Sequence, residues 1–195
     1  AAGLAVLQSV LGAMSLRVPN RADLGDAVRP IAVAQAALVV LAFLALIYLF
    51  LISDMSVKLV ATNSHSEKPW LYKFAGTWGN HEGSMLLWVT VLAVSGAGVA
   101  MLERRVRRDT LIATIMAQGI IALGFYAFLL FSSNPFERLN PAPADGQGLN
   151  PLLQDPGLAF HPPTLYFGYV GMSIAFSFAV GALVTRDVGP AFARA

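Results

Sequence analysis

Four stretches of this sequence each run for 20 or more positions without a charged residue: 30–53, 83–102, 110–134 and 162–185. A helix needs about 20 apolar residues to cross the ~30 Å hydrocarbon core of a bilayer. Only 12% of the chain is charged and its mean hydropathy is +0.64, whereas soluble domains carry about a quarter charged residues. The sequence therefore predicts an all-α fold, a polytopic transmembrane helix bundle with long outer loops.

A fifth uncharged segment, residues 1–16, is shorter than the others. Its side chains leave almost no polar face, so we interpret it as a clipped first span rather than a surface helix. No basic residue precedes it, which disfavours a signal peptide. The five segments predict a single transmembrane domain over residues 1–195, with its two longest loops at about 54–82 and 135–161.

The basic residues divide unevenly between the two sides of this predicted bundle. Nine lie in the two shorter loops and the tail, and four lie in the two longer loops. The nine are Arg17, Arg21, Arg29, Arg104, Arg105, Arg107, Arg108, Arg186 and Arg194, and the four are Lys58, Lys68, Lys73 and Arg138. Cytoplasmic loops carry an excess of Lys and Arg. We therefore expect the longer loops outside and the C-terminus inside, and no nucleic-acid partner is needed to explain the basic clusters.

All three histidines, His65, His81 and His161, fall in the two outer loops. His161 is followed by Pro162 and Pro163, and proline suits a first helical turn, so we expect His161 at or just before a helix N-terminus. The positive end of a helix disfavours protonated imidazole, and the neutral ring is the form that ligates metal. Haem iron accepts one histidine with a second ligand from elsewhere, whereas zinc needs three or four protein ligands. Two interpretations stay open: an axial ligand to iron, or a histidine that caps a helix or binds a backbone carbonyl.

The first outer loop ends in a polar and aromatic segment that contains Trp78, Asn80, His81 and Glu82. We expect Asn80 to cap a helix whose first turn contains Glu82. Aromatic residues at this depth are typical interfacial anchors. The alternative is a flat surface for a planar ligand, formed by Tyr72, Phe74, Trp78 and Trp88. His65 lies among polar neighbours and is interpreted as a solvated loop residue.

A few polar and small residues interrupt the apolar spans. Gln35 and Gln118 are expected to form hydrogen bonds between helices, and Gly96 and Gly98 to allow close helix packing. No acidic residue lies inside a predicted span, which argues against an ion pump or a proton-coupled carrier.

The segments WGNHEGSMLLWV (78–89) and LNPLLQDPGLAFHPPTLYFGYVG (149–171) resemble the outer motifs of the CcmF family of cytochrome c biogenesis proteins, which includes CycK and NrfE. The resemblance covers nearly the whole chain. It implies the N-terminal part of a membrane haem lyase subunit in a bacterial inner membrane, with its functional loops on the periplasmic side. Such a subunit would receive haem b from a haem chaperone and help attach it to the Cys-x-x-Cys-His motif of apocytochrome c.

The resemblance also implies site residues and partners. His161 would be an axial ligand to haem iron, with Pro162 in the same motif. Trp78, His81 and Glu82 match the second motif, as structural or haem-facing residues. The implied partners are membrane lipid, the haem chaperone CcmE, a CcmH-type protein that presents apocytochrome c, apocytochrome c itself and the remainder of a CcmF-like chain.

The sequence lacks the family's tryptophan-rich segment, its second outer histidine and its histidine pair within the spans. We therefore expect a fragment or a split subunit that has no lyase activity alone. The absence of cysteine agrees with the resemblance, because the reacting thiols belong to the acceptor. Two rival hypotheses stay open: a non-catalytic membrane scaffold that docks partner assembly proteins, and a component of a haem transporter.

Overall fold

The fold of residues 1–189 is described by a computed structural model, without the side chains of Pro19 and Leu158. This part of the chain is helical, without strands, which confirms the predicted all-α class. The α-helices are α1 (Ala2–Arg17), α2 (Val28–Leu51), α3 (Lys58–Asn63), α4 (Trp70–Gly76), α5 (His81–Leu102), α6 (Arg108–Phe131) and α7 (Pro156–Thr185). Two 3-10 segments, Pro19–Ala27 and Pro151–Leu153, complete the regular structure of these residues. Arg194, one of the nine basic residues counted above, lies outside the described residues.

Four of these helices, α2, α5, α6 and α7, are long and apolar enough to cross a membrane. Lipid offers no hydrogen-bond partner to the backbone, and a helix satisfies its own N–H and C=O groups. Helix α1 has 16 residues, fewer than the ~20 that a span needs. The fifth span therefore stays a prediction, as does the single domain over residues 1–195.

Three of the long helices begin slightly before the uncharged runs. Helix α2 starts at Val28, α5 at His81 and α6 at Arg108. Glu82 and Asp109 lie in the first turns of α5 and α6, where a negative charge interacts favourably with the helix dipole. The start of each of these uncharged runs therefore lies inside its helix, and the helix itself begins a turn or less before it.

The chain divides into two compact units. The terminal unit contains Ala1–Val40, Val89–Tyr126 and the described residues from Gly168 onwards. The loop unit contains Leu41–Trp88 and Ala127–Phe167, and therefore both outer loops with all three histidines.

The terminal unit has an apolar core where residues of α2, α5 and α6 meet. Its buried members are Val28, Ala32, Ala100, Leu111, Ile112 and Ile115. At its edge the Arg29 guanidinium donates hydrogen bonds to the carbonyl oxygens of Ala100 (2.5 Å) and Glu103 (3.3 Å). The last carbonyls of a helix have no partner within the helix, so Arg29 satisfies the end of α5.

The polar and small residues of the spans agree only in part with the expectations. Gln118 donates to the Ser173 hydroxyl at 3.3 Å, which confirms its predicted interhelical bond, whereas the bond of Gln35 stays a prediction. A Cβ added at Gly96 would lie 3.8 Å from the Gln118 Cβ of α6, an ordinary contact distance, whereas one at Gly98 would have no atom within 4 Å. Close packing instead occurs at Gly181, where a Cβ would overlap the Thr114 hydroxyl. Glycine spacing alone did not indicate which glycines face a neighbouring helix.

In the loop unit, the two outer loops pair with each other along a short stretch. Val57 and Arg138 form an antiparallel bridge, and the Lys58 N–H donates to the Glu137 carbonyl at 2.8 Å. Side chains reinforce this pairing, since Lys58 and Glu137 form an ion pair at 3.0 Å. Segments far apart in the sequence are thus joined at the start of both loops.

The turn from α4 into α5 is tight. The Asn80 side chain accepts a hydrogen bond from the Gly83 N–H and donates one to the Gly76 carbonyl, each at 2.7 Å. Asn80 therefore caps α5, as predicted. A Cβ at Gly83 would overlap the carbonyl oxygen of Thr77, and Thr77 is fully buried. Only glycine fits at this position.

We predict that Gly83→Ala destabilises the full-length protein by about 1–3 kcal/mol or more, the usual cost of overpacking. Thermal unfolding of the purified protein in detergent measures the effect. Gly98→Ala, in the same helix but facing open space, is the matched control, and we expect it to be neutral or to stabilise by up to about 1 kcal/mol through helix propensity. Equal melting temperatures for the two variants would contradict the packing described.

Candidate functional site

The second outer loop folds back onto the end of α3. The Gln147 N–H donates to the Ala61 carbonyl at 2.8 Å, and the Gly148 N–H donates to the Ser64 carbonyl at 3.0 Å. Gly148 has φ +89°, a left-handed conformation that glycine adopts without steric cost. A Cβ at Gly146 would overlap the carbonyl oxygen of Ser64. Glycines thus permit a close backbone contact between the two loops.

Asp145 adds a polar clamp beside this contact. Its carboxylate accepts hydrogen bonds from the Ser66 N–H (3.0 Å) and the Ser66 hydroxyl (2.5 Å). The Nε2 atom of His65 lies 3.3 Å from the same carboxylate. The Ser66 hydroxyl bond, followed by the Gly146 N–H, lowers the pKa of Asp145 to about 2. His65 is half exposed, as expected of a loop residue, but it is paired rather than free in solvent, because the other loop brings Asp145 to it.

His81 is the first residue of α5 and is also held by neighbours. Its Nδ1 atom lies 3.1 Å from the Ser133 hydroxyl. Its ring packs edge-on against Phe128, with centroids 5.7 Å apart. The next residue, Glu82, is half-buried, and within residues 1–189 no hydrogen bond or ion pair joins its carboxylate to another group.

Trp78 is buried, with 6% of its surface exposed. Its ring stacks near Phe43, with centroids 6.4 Å apart, and lies edge-on to Phe74 at 4.7 Å. Its Nε1–H donates to the Ala159 carbonyl at 2.7 Å. In this structure Trp78 is thus neither an exposed interfacial anchor nor part of an open aromatic surface. A direct contact between Trp78 and a ligand stays a prediction.

His161 lies inside α7 rather than at its N-terminus. The helix begins at Pro156, and its first turn closes where the Ala159 N–H donates to the Asp155 carbonyl at 2.9 Å. His161 is therefore the sixth residue, and Pro162 follows it within the helix. The expected position was wrong because Pro156 also suits a first turn, and the sequence contains no signal that selects between the prolines.

The His161 side chain is exposed, and no hydrogen bond or ion pair joins it to the described part of the chain. It therefore does not cap a helix or bind a carbonyl here, which was the alternative interpretation. Between Ala1 and Gly189, no group of three or more His, Asp or Glu side chains is arranged to hold a metal ion. The site can supply one imidazole to an iron that finds its other ligand elsewhere.

Residues 78–189 match the protein family described as "Cytochrome C assembly protein". The cytochrome c-type biogenesis protein ccl1 of Rhodobacter capsulatus is 56% identical over 85% of this chain and 25% of its own length. The cytochrome c-type biogenesis protein CycK of Bradyrhizobium diazoefficiens is 48% identical over 100% of this chain and 29% of its own length. The solved structure of "Cytochrome c Heme Lyase CcmF" has the same fold, with a TM-score of 0.83 and 22% identity over 97% of this chain and 30% of that one.

The chain therefore belongs to the cytochrome C assembly protein family, and the predicted resemblance is confirmed. Its four long apolar helices identify it as a multi-pass membrane protein, and both of these relatives are named cytochrome c-type biogenesis proteins. It spans between 25% and 29% of the length of these two relatives.

We predict that Asp145→Asn loosens the contact between the outer loops, because the amide accepts fewer hydrogen bonds than the carboxylate. Hydrogen exchange, expressed as protection factors, should show faster exchange at Ser66 and Gly146. Glu67→Gln, an exposed neighbour, is the control and should change nothing.

The hydrogen bonds of Asp145 also make the stability of the contact between the outer loops depend on pH. The pKa of Asp145 is lowered to about 2 in the folded chain, against about 3.9 for an unfolded aspartate. The stabilisation that the Asp145 carboxylate gives to the contact between the loops is therefore complete above about pH 4, and it is lost as the pH falls through 2. The difference in protection between the native protein and Asp145→Asn should shrink over that window, and a difference independent of pH would contradict the assignment.

Proposed function

We propose that this chain forms part of a membrane haem lyase for cytochrome c maturation, in which His161 is an axial ligand to haem iron. One observation carries the proposal: the His161 imidazole is exposed and unbonded at the start of a helix long enough to cross the membrane. A ligating histidine must present a free ring nitrogen to the metal. Both ring nitrogens of His65 have a neighbour, the Glu67 N–H at Nδ1 and the Asp145 carboxylate at Nε2. His81 is bonded at Nδ1 only, and His161, with both nitrogens unbonded, is the most accessible of the three.

Haem enters this proposal as the substrate. The residues beside His161 suit an apolar macrocycle, since Phe160 and Leu165 are 50% and 41% exposed and apolar surface favours burial against an apolar partner. Pro162 follows His161 directly and restricts the backbone there. For His81 and Glu82 both interpretations stay open: each is either a structural residue or a residue that faces the haem. No catalytic residue is assigned.

The transferred haem is haem b in this proposal, delivered by the chaperone CcmE on the periplasmic side of a bacterial inner membrane. A CcmH-type protein presents apocytochrome c, whose two thiols add to the haem vinyl groups. The second iron ligand and the remaining substrate contacts come from the remainder of a CcmF-like chain. We therefore expect no lyase activity from residues 1–195 alone.

The ligand role is tested with His161→Gly in the full-length protein within its complete assembly complex. We expect copurified haem to fall by about tenfold or more, since even changes to groups behind a metal ligand cost 10–100-fold in affinity. Added imidazole should restore the haem, because it can occupy the space of the missing ring. His65→Gly, which removes a histidine bonded to Asp145, is the control and should retain haem.

Three outcomes would count against this role. If the haem content is unchanged in His161→Gly, then His161 is not the iron ligand. Wild-type complex that never copurifies with haem, but loses partner proteins when residues 78–82 are altered, would instead support the scaffold hypothesis. Haem uptake into sealed vesicles would support the transporter hypothesis.

The proposed orientation is tested by single-cysteine labelling, because the sequence contains no cysteine of its own. Glu67 lies in the first outer loop and Arg105 between α5 and α6, and both are exposed. In intact cells with a permeable outer membrane, a membrane-impermeant maleimide should label Glu67→Cys and not Arg105→Cys. The reverse pattern would place His161 on the cytoplasmic side and overturn the proposal.

A further inference from the structure

The hydrogen bond from Trp78 to Ala159 has a cause within α7. In an α-helix the N–H of each residue donates to the carbonyl four positions earlier. Residue 163 is a proline, which has no N–H, so the Ala159 carbonyl loses its partner within the helix. The Trp78 Nε1–H lies 2.7 Å from this oxygen and takes the place of the missing donor.

The two faces of α7 differ at this point. Ala159 is 3% exposed, whereas Phe160 is 50% exposed and His161 is also exposed. The bond to Trp78 therefore lies on the buried face, two residues from the exposed imidazole. Because both residues belong to one helix, fixing the Ala159 carbonyl also fixes the direction in which His161 leaves the backbone.

The donor is itself buried and held by its neighbours. The Trp78 ring is packed against Phe43 and Phe74, and its main-chain N–H donates to the Ala75 carbonyl at 3.2 Å. The indole has a single N–H and no acceptor, so its one hydrogen bond is committed to Ala159. A donor that is buried and packed on both sides can hold a helix backbone in place better than an exposed tryptophan could.

We propose that Trp78 is a positioning residue for His161: it holds the start of α7 through the carbonyl that Pro163 leaves unpaired. This inference rests on the proposed function of His161 as an iron ligand. It assigns Trp78 a role behind the ligand, without contact to the haem. Groups of this kind fix the orientation of a metal ligand and strongly affect metal affinity.

The decisive variant is Trp78→Phe, which keeps an aromatic ring between Phe43 and Phe74 but removes the N–H. Trp70→Phe is the matched control, because it makes the same chemical change at a residue that is 71% exposed. Hydrogen exchange in the full-length protein should become faster at the start of α7 only in Trp78→Phe. Haem retained by the complete complex should fall about tenfold in that variant, within the range known for groups that hold a metal ligand in place, and stay unchanged in Trp70→Phe.

A background test separates positioning from simple destabilisation. In His161→Gly with added imidazole, the ligand no longer depends on the direction of α7. Trp78→Phe should therefore cause no further loss of haem in that background. An equal loss in both backgrounds, or no change in either exchange or haem in the original background, would overturn the positioning role.

A second variant tests the physical cause. Pro163→Ala supplies the missing helical N–H to the Ala159 carbonyl. Combined with Trp78→Phe, it should restore slow exchange at the start of α7 and recover haem retention, and failure to recover either would count against the proposal. If His161→Gly alone leaves haem unchanged, the ligand role fails first, whereas the exchange data still show whether Trp78 holds α7.

Discussion

The lack of hydrogen-bonding partners in lipid is the constraint on which the rest of this structure depends. Every backbone N–H and C=O at membrane depth must find a partner within the protein, and α2, α5, α6 and α7 meet this need internally over most of their lengths. Where a backbone carbonyl has no partner within its helix, a side chain donates the hydrogen bond. Arg29 bonds to one of the last carbonyls of α5, that of Ala100, and to the Glu103 carbonyl just beyond the helix. Trp78 bonds to the carbonyl that Pro163 leaves free in α7. In the loop unit, a tryptophan thus supplies the hydrogen bond that α7 lacks at Ala159.

Hydrogen bonds between polar groups also fix the outer loops that carry the histidines. Backbone bonds join the second loop to the end of α3, and Asp145 binds both Ser66 and His65. His65 has a neighbour at both ring nitrogens, and His81 is bonded to Ser133 through Nδ1. Only His161 presents a free ring, and this difference in bonding, rather than the His-Pro-Pro motif by itself, supports its assignment as a ligand.

Much of the fold was accessible from the sequence, but less of the site. The all-α class and the four long helices followed from uncharged runs, and the cap at Asn80 followed from its position before an apolar helix. The residues of the candidate site were named, yet their surroundings were not. Trp78 was expected as an interfacial anchor, or alternatively as part of a flat aromatic surface, and it is buried instead. His161 was expected at or just before the N-terminus of a helix that in fact starts at Pro156. Burial and pairing depend on segments that are distant along the chain, so local patterns carry no signal for them.

The sequence by itself determined where the chain can cross a membrane and which residue types its outer face offers, because hydropathy and helix capping are properties of neighbouring residues. The tertiary structure alone decided which histidine is free, which glycine must lack a side chain and which donor completes α7. Trp78 and Ala159 are 81 positions apart, and only the folding of the first outer loop against the start of α7 brings an indole N–H to a carbonyl that a proline has left without its helical partner.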